Sequence, residues 1–137
     1  MKFVKLSQED IENISHFYQN MIGDAREILL YIWGKAVGDK MSELIEEGEE
    51  DSLKRAKNLM EGRGWVEEIE LEEDLVTAKG SIEVDKTLEM PSCNLLRGMI
   101  CGLYEGVRGG LIEVKEVKCQ SLDHEHCEFE IKEKKFE

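Results

Sequence analysis

The hydrophobic period of this chain changes once, at Gly62-Arg63-Gly64, and that change confines its fold more than any other feature. On the N-terminal side apolar residues recur at helical spacing. Ile11, Ile14, Phe17, Tyr18, Met21 and Ile22 form one amphipathic stripe. Ile28, Leu29, Ile32, Trp33, Ala36, Val37, Met41, Leu44 and Ile45 form the apolar side of a second helix. Ser7-Gln8-Glu9-Asp10 opens the first helix with a capping box, and Gly23 suits its C-cap. Asp24 starts the second helix and Gly48 ends it; a third, shorter one runs from Glu50 to Met60. Beyond Gly64, Trp65–Leu71 and Leu75–Val84 are rich in β-branched residues, and the tip Glu72-Glu73-Asp74 between them suits a hairpin. Pro91 fits the first turn of a helix over Ser92–Val107 that stops at Gly109-Gly110. Leu111–Cys119 and Cys127–Lys132 make a second strand pair around residues 121–126. N-terminal helices, then an antiparallel sheet of two hairpins with a helix between them, is an α+β order and not a doubly wound one.

A chain of 137 residues has the size of one domain and can bury a core without disulfides. No internal repeat, low-complexity stretch or linker divides it. The net charge of −13, from 31 acidic and 18 basic residues, repels nucleic-acid phosphates and anionic membrane surfaces. No run of 18 apolar residues is present, so no membrane span is expected. The N-terminus lacks the apolar core of a signal peptide, which places the protein in the cytoplasm. Cysteines stay reduced there, so the four in this chain read as thiols or metal ligands.

Cys93, Cys119 and Cys127 fall at the ends of expected elements, whereas Cys101 sits in an apolar helix face with Ile100 and Leu103 and reads as core. Glu116 lies three residues before Cys119, and His124 and His126 lie between Cys119 and Cys127. Thiolate, carboxylate and imidazole are the ligand set of zinc. Cys93 at a helix start has free N–H groups and the dipole to lower its pKa. Glu116 is the awkward member, because strict alternation puts it and Cys119 on opposite strand faces. A bulge near Val117 would bring them together. On geometric grounds His124 or His126 could serve as the fourth ligand instead. Three buried structural thiols are an equally open reading of the spacing, while the lack of a CxxC motif weakens a redox one.

Enzyme motifs are missing: there is no phosphate-cradling glycine loop, no GxSxG and no HExxH. Gly98, Gly102 and Gly106 recur every four residues and leave one side of their helix without bulk. That side is either a close packing seam or room for an apolar ligand between the two long helices, over the sheet. The residues expected to line such a pocket are Trp33, Val37, Met41, Arg97, Ile100, Leu103 and Tyr104. Arg97 either snorkels to the surface or points into that space, where it would favour a ligand with an acidic or polar head.

These residues resemble a known family. Residues 25–41, AREILLYIWGKAVGDKM, resemble the opening helix of the 4-vinyl reductase domain, also called the hydrocarbon-binding domain. Cys93-x3-Arg97-Gly98-x3-Gly102-x3-Gly106, Glu116-x2-Cys119 and Cys127-x-Phe129 are similar to its C-terminal signature. The resemblance spans Asp24 to Ile131. It implies a ligand-binding domain over residues 24–137, preceded by a helical extension over 1–23, and an α+β fold related to nitric-oxide-binding haem domains and vesicle-tethering subunits. The family's aromatic-sensing regulators hold a structural zinc through Cys, Glu, Cys and Cys, which implies Cys93, Glu116, Cys119 and Cys127 here and favours Glu116 over the histidines. The usual glycine-aspartate of the last hairpin stands as Leu122-Asp123. The regulators' ATPase and DNA-binding modules have no counterpart, and Arg97, Leu103 and Val114 occupy the region of the phenol sensors' aromatic pocket.

The expectation is therefore a zinc-stabilised sensor module that binds a small apolar molecule. The first helix, through Ile14 to Met21, packs either on its own domain or on a second copy as a homodimer. A dimeric scaffold with a closed core is the alternative. A tetrapyrrole vinyl-reduction enzyme is a third reading, which rests only on the family's name and has no hydride-cofactor motif behind it.

Overall fold

The computed structural model describes residues 2–45, 51–85 and 92–134. Its elements are α1 (Gln8–Ile22), α2 (Ala25–Ser42), α3 (Ser52–Gly62), β1 (Glu68–Leu71), β2 (Leu75–Lys79), α4 (Asn94–Arg108), β3 (Ile112–Lys118) and β4 (Cys127–Glu133). A single 3-10 turn, Gln120–Leu122, joins the last two strands. The α+β order expected from the sequence is present. The expected ends at Gly48, Glu50 and Pro91 lie outside the described residues. Among these, no helix is long and apolar enough to cross a membrane.

The start of α1 is the capping box: the Ser7 hydroxyl accepts from the Asp10 N–H, and the Asp10 carboxylate accepts from the Ser7 N–H. Gly23 ends it at φ 61 and ψ −131, a conformation that favours glycine. The second strand is shorter than expected. Gly80 turns the chain at φ 65, and Ser81 and Glu83 leave the sheet to become buried polar groups.

All strand pairs are antiparallel, in the order β1-β2-β4-β3, so the two hairpins join through β2 and β4. Alternation places Ile69, Ala78 and Cys127 in one row across the inner face. Leu71, Val76, Phe129 and Glu116 form the next row. Against this face lies α4, in which every residue from Asn94 to Tyr104 except Arg97 is buried. At the far end of α4 the Tyr104 hydroxyl donates to the Glu72 carbonyl and Arg108 to that of Glu73, pinning the tip of the first hairpin.

The glycines settle the geometry of the two long helices. A Cβ on Gly102 would stand 2.6 Å from both the Asp39 nitrogen and the Lys35 oxygen, and those on Gly34, Gly38 and Gly98 would press closer still on backbone atoms of the facing helix. Backbone meets backbone along this seam. The face of α2 turned inward carries Leu30, Gly34, Gly38 and Met41. This corrects the apolar side read from the sequence: Ile28, Leu29 and Ile32 are 62%, 43% and 56% exposed. Of the two readings of Gly98, Gly102 and Gly106, it favours the packing seam, because the opposing helix fills the room those glycines leave.

Gly38→Ala and Gly102→Ala should each destabilise the fold by about 1–3 kcal/mol, since the facing backbone cannot yield. This holds against a helix-propensity gain of ~1 kcal/mol. The control is Gly62→Ala, where an added Cβ meets nothing within 4 Å. Denaturant midpoints that are equal for all three variants would contradict the seam.

Candidate metal centre

The site is built where three elements meet. Cys93 is the N-cap of α4, Glu116 lies in β3, Cys119 follows that strand, and Cys127 opens β4. Their four donor atoms lie within 4.8 Å of one another. The strand problem posed by Glu116 is resolved by a bulge. Glu116 pairs with Phe129 and Lys118 with Glu128, so Val117 is the extra residue and Glu116 comes to the side of Cys119. The 3-10 turn that follows closes on Asp123 at φ 63, a left-handed conformation that Asp tolerates better than most residues. Leu122-Asp123 therefore makes the turn without glycine.

The donor geometry suits a tetrahedral ion. Cys93 Sγ lies 3.7 Å from Cys127 Sγ and 4.0 Å from Cys119 Sγ. Metal–sulfur bonds of about 2.3 Å in a tetrahedron put the sulfurs about 3.8 Å apart. All three thiols are fully buried, and Glu116 is half-buried. The Glu116 Oε1 accepts from the Cys93 N–H at 3.3 Å, while its buried Oε2 has no hydrogen-bond partner among the described residues. An orphaned carboxylate oxygen beside three sulfurs is what a site shaped for a cation leaves when protein atoms alone are counted.

Electrostatics agree. Hydrogen bonds from Cys127 and Cys93 hold the Cys119 thiol far below its ordinary range, helped by the Ser92 N–H and the Ser121 hydroxyl. Donating to Cys119 pushes Cys127 up to about 12. Hydrogen bonding with Cys119 and Cys127, and burial, raise Cys93 well above the thiol range. Burial, and then the Cys119 charge, push Glu116 up to about 8. One thiolate is thus shared among four acidic groups, and a bound cation would let the rest ionise.

Neither histidine joins the cluster. His124 is exposed, and His126 Nε2 sits 3.0 Å from the Glu128 carboxylate. Cys101 is buried as expected, its thiol on the Ile112 carbonyl at 3.2 Å. Of the residues expected to line a pocket, all but Arg97 belong to the core or pack on it. Met41, Ile100, Leu103 and Tyr104 are buried in the core, with Trp33 and Val37 packed against it. Arg97 instead lies over the Tyr31 ring at 4.3 Å, in a groove with Glu27, Asn94, Glu113, Lys115 and Glu116.

A polar shell around the sulfurs was not anticipated. Cys93 Sγ lies 3.5 Å from Ser81 Oγ, Ser92 Oγ lies 3.7 Å from Cys119 Sγ, and the Gln120 N–H donates to Cys127 Sγ at 3.3 Å. Glu83, wholly buried, accepts from the Leu95 and Leu96 N–H groups at 2.7 and 2.8 Å and so caps α4. Burial pushes its carboxyl up to about 8. The one sequence signal for this shell was the closeness of Ser92 and Ser121 to Cys93 and Cys119. Glu83 gave none, because it falls in what reads as an alternating strand.

Residues 75–133, which contain all four donors, match the family model of the V4R domain. The resemblance to the 4-vinyl reductase domain seen in the sequence thus stands over β2, α4, β3 and β4. The fold is similar to that of the phenol-responsive sensory domain of the transcription activator PoxR, with a TM-score of 0.84 and 18% identity over 97% of this chain and 77% of that one. It is also similar to a vinyl-4-reductase family protein from Methanocaldococcus jannaschii, with a TM-score of 0.70 and 17% identity over 98% of this chain and 85% of that one. No curated protein matches the sequence.

Metal content should discriminate between the candidate fourth ligands. Glu116→Ala is expected to lose metal on purification, while His124→Ala and His126→Ala retain the wild-type amount by elemental analysis. Loss in a histidine variant with retention in Glu116→Ala would move the fourth ligand to an imidazole.

Proposed function

We propose that this chain is a zinc-stabilised module that binds a small apolar molecule and works as a homodimer. The observation that carries the reading is the chain-long likeness to a phenol-responsive sensory domain, joined to the family match over the residues that form the cluster. Zinc is favoured by the donor set, since three thiolates and one carboxylate in a closed tetrahedron suit it better than calcium, magnesium or manganese. Four free thiols, three of them at the cluster, fit a reducing compartment such as the cytoplasm.

The ligand is assigned to the apolar core that α4 shares with α2 and the sheet. Met41, Ile100 and Leu103 belong there to one buried apolar cluster with Met60 and Met99, and Val37 and Trp33 pack on it. Methionines are flexible enough to open such a cluster around a guest. Arg97 faces Tyr31 and the Tyr104 hydroxyl is bonded to the Glu72 carbonyl, so neither is free to fix an acidic head. The favoured compound is therefore a neutral aromatic or hydrocarbon. The closed seam supports the second reading, a dimeric scaffold with a filled core.

A thermal-shift screen of phenols, isoprenoids and fatty acids separates the two. A neutral compound at 100 times its Kd should stabilise the protein by about 2.7 kcal/mol, and Leu103→Phe should abolish that shift. If no class shifts the wild type, the scaffold reading stands.

Dimerisation is supported by an exposed apolar face. Phe17 and Met21 of α1 are 61% and 76% exposed, and Ile28, Leu29 and Ile32 of α2 are exposed as well. Light scattering should give twice the chain mass, and Phe17→Glu should give a monomer. A wild-type monomer at micromolar concentration would remove the dimer.

A further inference from the structure

α1 is weakly held. Ile11 is its one buried residue. Gly23 joins it to α2, and a Cβ there would meet nothing within 4 Å, so conformation and not packing calls for glycine at this hinge. Its polar hold includes the Arg26 guanidinium, which donates to Ser15 Oγ at 3.3 Å, and His16 Nε2, which lies 3.3 Å from Asp85 Oδ2. Beneath it is a cavity of ≈ 10 Å³ between Ile11, Ser15, Arg26, Glu83, Asp85 and Ser92, room for about one water.

The surface on which α1 rests is fastened to the metal turn. Residues 80–85 connect β2 toward α4. Gly80 N–H donates to Gln120 Oε1 at 2.8 Å, and Asp85 N–H donates to Ser121 Oγ at 2.9 Å. The Ser121 and Ser92 hydroxyls are 2.5 Å apart, and Ser92 also donates to the Glu83 carbonyl at 3.1 Å. Gln120 and Ser121 belong to the 3-10 turn between Cys119 and Cys127, and Ser92 precedes Cys93. A continuous set of contacts thus runs from His16 through Asp85, Ser121 and Ser92 to the Cys119 sulfur.

Four acidic donors within 4.8 Å repel one another once ionised, and a cation removes that repulsion. Cys119 and Cys127 flank the turn that carries Gln120 and Ser121, so one ion held by both sulfurs would fix the two ends of that turn. We propose that metal binding and the docking of α1 are coupled through the Ser92–Ser121–Asp85 contacts, so that α1, with its exposed Phe17 and Met21, is held against the domain only in the metal-loaded protein. The proposal rests on the metal and dimer readings above. It adds that a second copy of this chain docks on a surface under control of the metal. Coupling is reciprocal, so loosening α1 must also weaken the hold on the metal.

Hydrogen exchange and light scattering on the full chain test this, with zinc as the metal and reductant present throughout. Zinc-loaded protein should protect the amides of α1, and chelator-stripped protein should lose that protection by about tenfold while α4 stays protected. Ser121→Ala, which keeps all four ligands, should retain zinc yet lose α1 protection and shift toward monomer. His16→Ala should speed zinc transfer to a chelator by about fivefold or more. Should stripping unfold the whole domain, the Ser121→Ala and His16→Ala results decide alone. Unchanged α1 protection in Ser121→Ala together with unchanged zinc release in His16→Ala overturns the coupling. A zinc-loaded monomer with protected α1 overturns the dimer reading and leaves the coupling standing; a stripped dimer with protected α1 does the reverse.

Discussion

Three buried thiols and one half-buried carboxyl, with donor atoms within 4.8 Å of one another, cannot all carry charge unless a cation joins them. That constraint organises the C-terminal half of the molecule. It explains why β3 carries a bulge at Val117, why a turn closes on a left-handed Asp123, and why α4 begins at a cysteine. Each device turns one donor toward the same point. The serine hydroxyls and backbone N–H groups around the sulfurs answer the same need, since a site of three thiolates and a carboxylate keeps net negative charge even with a divalent ion. Glu83 extends the arrangement to the helix, its carboxylate taking the N–H groups that the start of α4 leaves open.

The other organising contact is the α2–α4 seam. With glycine on both helices the axes approach until backbones touch, which leaves no gap for a guest but locks the long helices as one rigid layer. The apolar bulk that α2 does not spend on this seam is left facing solvent at Ile28, Leu29 and Ile32. A large exposed patch of that kind is the usual mark of an interface. One closed seam and one open face on the same helix account for the tight α2–α4 packing and support the proposed dimer.

The sequence made the element order legible because periodicity and punctuation are local: Gly23, Gly62-Arg63-Gly64 and Gly109-Gly110 each stand at an element end. Metal chemistry uses few residue types, so the candidate donors were legible, but the choice of Glu116 over His124 and His126 came from the family resemblance. Which face of α2 turns inward was not, because periodicity ranks faces by hydrophobicity and this seam is chosen by smallness. The end of β2 was missed because Ser81 and Glu83 alternate with Ile82 and Val84 as a strand would, while their polar groups are recruited to residues far along the chain. Long-range polar pairing of this sort has no signal at the level of spacing. The register of the bulge was reachable only by demanding that Glu116 and Cys119 meet.

The most direct test of the metal centre is X-ray absorption at the zinc edge, on protein purified without chelator. Three sulfurs at about 2.3 Å and one oxygen at about 2.0 Å, with one zinc per chain, is the result this structure predicts. Absence of zinc, or a first shell containing imidazole nitrogen in place of the carboxylate oxygen, would contradict it.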